Sequence, residues 1–218
     1  MRAEFHQKAS LIITFFVSIF KSISREEIGL SSVRTLFFIE VAILTALALT
    51  LDILPFLKFK IWPAGGSISL AMIPVFIVAF RWGLKGGLLS GFLWGILQIA
   101  VGDAYILNFY QGLIEYGLAF TVLGFAGLFA PQVQQAVKEK NAKATLLYLA
   151  IGVFVGGMLR FAGHFAAGWF FFGDAAPEGQ PAWLYSFIYN CTYMIPAMII
   201  CLVVIFLLFN RQPRTLIR

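Results

Sequence analysis

From Arg34 to Asn210 the chain keeps returning to apolar runs too long for a soluble core, and those runs leave few ways to fold. The last of them, Trp183–Asn210, carries no charged residue over its 28 positions. As a helix it would reach about 42 Å at about 1.5 Å per residue, more than the roughly 30 Å of a bilayer's hydrocarbon core. Only 12% of the 218 residues are charged, about half the roughly 25% of a soluble domain. The chain is therefore read as an integral membrane protein, with lipid as part of its solvent.

Six helical spans are expected, at Arg34–Leu57, Ile68–Phe80, Gly86–Val101, Gln111–Ala130, Thr145–Gly173 and Trp183–Asn210. They make residues 33–210 an all-α bundle of six transmembrane helices, followed by a basic tail at 211–218. Lys58–Ser67 is expected to be a loop, as are the lysine-bearing Pro131–Ala144 and the base-free Asp174–Ala182. Residues 1–32 form an N-terminal extension, in which Leu11–Phe20 is too short to span. It is read as an interfacial helix or as sequence upstream of a mis-assigned start. Arg25-Glu26-Glu27 is encodable by codons resembling a ribosome-binding site, and Val33 by GUG. The net charge of +6 lies in turns and at the ends, with no basic face for nucleic acid, so nucleic-acid binding is excluded. Counted loop by loop, Lys and Arg put both termini in the cytoplasm of a cell-membrane protein, although Lys58 and Lys60 fall on the other side. Cys191 and Cys201 are ten positions apart on one helix, about 15 Å, and cannot bridge.

Small residues recur at four-residue intervals. Gly87, Gly91 and Gly95 offer a flat face for close helix packing, and Ala42 and Ala46 repeat the pattern on the first span. For the two alanines, an internal contact and a partner-docking face are both open on spacing alone.

Polar groups break the apolar pattern at one end. Asp103, Tyr105, Asn108, Glu115, His164, Trp169, Tyr185 and Asn190 all fall in the outer half or outer loops under this topology. Glu115 matters most, because a charge at bilayer depth costs at least about 2.5–3.5 kcal/mol and calls for a partner. That partner is either a ligand or Arg160, and a protonated carboxyl is the remaining alternative. His164, one turn after Arg160, is read as a ligand contact or as a hydrogen-bond donor between helices. The stripe Tyr185, Tyr189, Tyr193 serves packing or binding, and Glu40 and Asp52 are read as interfacial. Aromatic faces beside a carboxylate suit a flat organic cation. No phosphate-binding glycine loop or His-Glu-x-x-His pair occurs. Ser90 with His164 lacks an oxyanion hole, so the chain is not read as an enzyme. No cofactor is called for. Six short spans without inverted repeats also fit a gradient-driven transporter poorly.

The motif Gly-Asp-Ala-Tyr-Ile-Leu at 102–107, Glu115-Tyr116, Arg160-x-x-x-His164-Phe165-x-Ala167-Gly168, Tyr185-Ser186 and Asn190 resembles the thiamine-specific substrate-binding subunits of energy-coupling factor transporters. The resemblance runs from Val33 to Arg218. It implies a six-helix subunit that captures thiamine from outside. It also implies partnership with an energising transmembrane subunit and two ATPase subunits, which dock at Ala42 and Ala46. Carried over by position, Tyr105, Glu115, Tyr116, His164, Gly168, Tyr185 and Asn190 become pocket residues, with Glu115 neutralising the cation and Trp169 and Trp62 supplying rings. Two positions depart from the family pattern: its acid at the start of the second helix is Ser69 here, and its fifth-helix tryptophan aligns with Phe172, one turn after Trp169. Another vitamin on the same scaffold, or a helical scaffold without a small ligand, is the alternative.

Overall fold

The computed structural model describes Thr14, Ser18 and residues 33–54, 58–62 and 65–217; the interfacial-helix and start-site readings of residues 1–32 lie outside the described residues. Among the described residues, five helices are long and apolar enough to cross a membrane: α1 (Val33–Ile53), α2 (Met72–Ala100), α3 (Phe109–Lys138), α4 (Ala142–Phe171) and α5 (Ala182–Arg211). The spans expected at 68–80 and 86–101 fall largely on α2, as two arms that change direction at Gly83 (φ 76°, ψ −165°). An L-residue with a Cβ avoids that backbone conformation, and glycine adopts it freely. The first arm is apolar on every face and is buried on every face from Ala71 through Arg81, which makes it the centre of the bundle.

Between α1 and α2 the expected loop is instead a two-stranded antiparallel hairpin, β1 (Lys58–Trp62) with β2 (Gly65–Ser69), paired Lys58 to Ser69 and Lys60 to Ser67. The alternation Lys-Phe-Lys-Ile-Trp carries the two-residue period of a strand, so the fold is helical with one small hairpin rather than all-α. The polar stretch expected as a long loop at 131–144 is also mostly helical. Pro131 opens the last α-helical segment of α3, and Asn141 caps α4 by accepting from the Ala144 N–H at 3.1 Å, leaving a short turn with Lys138, Lys140 and Lys143 exposed.

The end of the bundle near Gly83 is closed by a buried ion pair. Glu40, expected at an interface, is 1% exposed. Arg81 Nε and Nη2 donate to its carboxylate oxygens at 2.6 and 2.7 Å, and Trp82 Nε1 donates at 2.6 Å. Arg81 Nη1 reaches on to the Thr215 carbonyl at 2.9 Å, which fastens the turn Pro213–Thr215 and buries Leu216. Because the helix breaks at Gly83, the Phe80 and Arg81 carbonyls need outside donors, and Gln134 Nε2 serves both at 2.8 and 3.1 Å. The expected basic tail thus includes a packed turn, Pro213–Thr215.

Above this node, the second arm of α2 lies against α3 through glycines. A Cβ built on Gly87 would meet the Gly124 carbonyl at 2.7 Å, one on Gly91 the Phe120 carbonyl at 2.3 Å, and one on Gly95 the Tyr116 carbonyl at 1.9 Å. The expected glycine face is therefore the seam on which α3 sits.

Candidate functional site

α3 is not a uniform helix. Asn108 caps its first turn by accepting from the Gln111 N–H at 2.9 Å, and the next segment, Leu113–Leu118, is wound as a π-helix that carries Glu115 and Tyr116. One-turn π segments widen the helix and redirect side chains, and they recur at functional sites. Behind this one, Gly95 gives the Tyr116 backbone room to lie against α2.

The side chains so turned meet α1, α2, α4, α5 and β2 around a cavity of about 610 Å³, within the range of small-molecule sites. Glu115 is held from two sides. Gln111 Nε2 donates to its Oε2, and His164 Nδ1 lies 3.5 Å from its Oε1. On its other edge His164 Nε2 accepts from Arg160 Nε at 3.1 Å. Since Nε2 is an acceptor there, the ring proton of a neutral imidazole sits on Nδ1 and faces the carboxylate. Arg160 thus reaches Glu115 only through His164. Its guanidinium lies over the rings of Trp94 and Phe120, 4.5 and 4.2 Å from their centroids. The direct Glu115–Arg160 pair considered from sequence does not form.

Gln111 is a hub that sequence reading missed. It accepts from the Leu107 N–H at 3.0 Å and donates to the Tyr105 carbonyl at 3.2 Å as well as to Glu115, so it ties the 102–108 loop to the acid. Tyr116 Oη accepts from the Tyr105 N–H at 2.9 Å and fixes the same loop. Opposite, Tyr185, Tyr189 and Tyr193 of α5 all line the cavity. Tyr193 Oη donates to Asn190 Oδ1 at 2.6 Å while Asn190 Nδ2 donates to the Ser186 carbonyl at 2.8 Å, so the buried amide is satisfied at both ends. Gly168 admits this helix closely, since a Cβ there would stand 2.3 Å from Ser186 Oγ.

Tyr105, Glu115, Tyr116, His164, Gly168, Tyr185 and Asn190 all border the one cavity, together with Ser69 and Phe172. Trp169 does not. It is 43% exposed and stacks on Phe170 at 5.1 Å, outside the lining. The side chain of Trp62 lies outside the described residues. Ala42 and Ala46 are exposed on α1 and do not line the cavity. Asp52, expected at an interface, is a lining residue, as are Trp94, Gln98 and Phe120. A polar Gln98 within an apolar glycine-faced helix was the one sequence sign of this wall. Among the described lining residues, three carboxylates (Asp52, Asp103, Glu115) face one guanidinium, Arg160.

The family described as thiamine transporter protein (Thia_YuaJ) matches residues 38–217. The chain belongs to this thiamine transporter family. Among family proteins, it is 45% identical over 178 residues to the thiamine transporter ThiT of Bacillus subtilis (strain 168), covering 82% of this chain and 92% of that protein. It is 31% identical over 179 residues to the thiamine transporter ThiT of Lacticaseibacillus paracasei, covering 81% and 88%. The solved structure of ThiT from Listeria monocytogenes superposes with a TM-score of 0.80 at 32% identity, over 86% of this chain and all of that one. This member of the thiamine transporter family is a multi-pass membrane protein.

Proposed function

We propose that the chain captures thiamine in this cavity as the substrate-binding subunit of an energy-coupling factor transporter and is a carrier rather than an enzyme. The observation that carries the reading is the excess of carboxylates in an aromatic-lined cavity of a thiamine transporter family member. Thiamine is flat, aromatic and positively charged. Ring faces attract such a cation by about 2 kcal/mol when water is excluded, and Glu115 supplies a counter-ion already oriented by Gln111 and His164. Titrating detergent-purified protein with thiamine should quench tryptophan fluorescence at micromolar ligand or below, since Trp94 lines the cavity. An unchanged spectrum overturns the reading.

In the cell membrane the two arms of α2 act as separate spans. The helical domain then has six spans, with both termini in the cytoplasm. The basic turn at Lys138–Lys143 and the base-free 174–182 loop support that orientation. Uptake requires an energising transmembrane subunit and two ATPase subunits. The contact with them is the exposed strip of α1 bearing Ala42 and Ala46, whose small side chains admit a partner helix closely. Impermeant labelling of single cysteines should modify position 176 but not position 140 in intact cells, and the reverse pattern overturns the orientation.

A further inference from the structure

The cavity has a carboxylate on a second wall. Asp52 stands one residue from the end of α1, where the last carbonyls lack intrahelical partners and the helix dipole is negative, and the last turn of α1 holds no basic residue. A carboxylate there is disfavoured by its own helix. It is nonetheless held in place, because Gln98 Nε2, from the second arm of α2, donates to Asp52 Oδ2. That bond fixes the amide of Gln98, which is 3% exposed, and leaves its buried Oε1 without a hydrogen-bond partner among the described residues. One turn earlier, Trp94 keeps its ring beneath the Arg160 guanidinium, whose Nε donates to His164. This part of the lining therefore carries the Asp52 carboxylate and an unpartnered acceptor, Gln98 Oε1, beside two unpartnered donors, Trp94 Nε1 and Arg160 Nη1, among the described residues.

We infer that Asp52, positioned by Gln98, is a second counter-ion of the binding cavity and a determinant of its preference for a cationic over a neutral ligand. Glu115 and Asp52 come from different helices, so a cation between them is attracted from two sides and a neutral ligand of the same shape gains nothing from either. This rests on the thiamine reading of the same cavity. It is tested with thiamine and its isostere in which carbon replaces the thiazolium nitrogen, which has the same outline and no ring charge. The full-length protein in detergent is titrated with both. In Asp52→Asn, thiamine should bind roughly tenfold more weakly while the neutral isostere changes by less than about twofold. Asp52→Glu should recover part of the cation preference, and Gln98→Leu, which removes the amide donor to that carboxylate, should lose part of it. The ratio of the two affinities is read within each variant, so a smaller folded fraction does not disturb it. Parallel weakening of both ligands in Asp52→Asn, or no change in either, overturns the role of Asp52. Failure of thiamine to bind the unmodified protein overturns the reading of the whole cavity, this inference included.

Discussion

The seam between α2 and α3 can be tested with a single methyl group. In Gly95→Ala the new Cβ would lie 1.9 Å from the Tyr116 carbonyl oxygen, 2.9 Å from its carbon and 3.1 Å from Phe120 Cβ. Two of the three are backbone atoms, so no side-chain rotation relieves the clash. Real Cβ contacts essentially never fall under 3.0 Å, and the π-wound turn must therefore withdraw by about 1 Å. Overpacking of this kind costs about 1–3 kcal/mol. The displacement falls on the turn that carries Glu115 and Tyr116, and a 1 Å shift would break the 2.9 Å bond from the Tyr105 N–H to Tyr116 Oη, worth about 1 kcal/mol. Moving Glu115 away from its aligned position adds to that loss. Thiamine affinity measured by tryptophan quenching should fall at least about tenfold, and the thermal midpoint by about 2–4 °C per kcal/mol lost. Gly91→Ala (2.3 Å) and Gly87→Ala (2.7 Å) should destabilise in that order, with affinity changed less because they press on α3 farther from the acid. Gly117→Ala meets only the Leu113 side chain, at 3.2 Å, and serves as the tolerated control. A Gly95→Ala protein with unmodified affinity and midpoint would refute the contact and the account of how Glu115 is placed.

Glu115→Gln removes a charge from a largely desolvated pair, a change that costs roughly 2–5 kcal/mol, so thiamine binding should weaken at least about thirtyfold in equilibrium titration; full affinity removes Glu115 from its role. Ala42→Trp, on the exposed face of α1, should leave the binding titration unchanged while abolishing uptake of labelled thiamine in cells, and persistent uptake assigns that face elsewhere. Glu40→Gln strands a buried guanidinium, and loss of one partner of such a pair costs about 3–5 kcal/mol. The purified variant should therefore melt well below the unmodified protein, and an unchanged midpoint denies the clamp its stabilising part.

Helical phase explains much of what was readable in advance. The apolar runs located every long helix, and Glu115, His164 and the tyrosine stripe announced themselves as polar groups that lipid would not tolerate. His164, Gly168 and Phe172 follow at four-residue steps and all reach the cavity, whereas Trp169, about 100° round the helix from Gly168, turns outward. What stayed hidden depends on contacts distant in sequence. Glu40 and Arg81 are 41 positions apart, and Glu40 looks interfacial until the fold brings them together. Asp52 and Gln98 are hidden in the same way at 46 apart. The π-wound turn leaves no composition signal, and the hairpin is a five-residue alternation beside much longer apolar runs.

The carbonyls of residues 214 and 215 complete the coordination of the Arg81 guanidinium. This ties the order of biosynthesis to the order of folding. Glu40 and Arg81 can pair once α1 and α2 have entered the membrane, but Arg81 Nη1 has no carbonyl to donate to until residues 214 and 215 follow α5 out of the ribosome. Until then one nitrogen of a buried guanidinium lacks its acceptors, so the end of the bundle near Gly83 is completed after the helices that surround it.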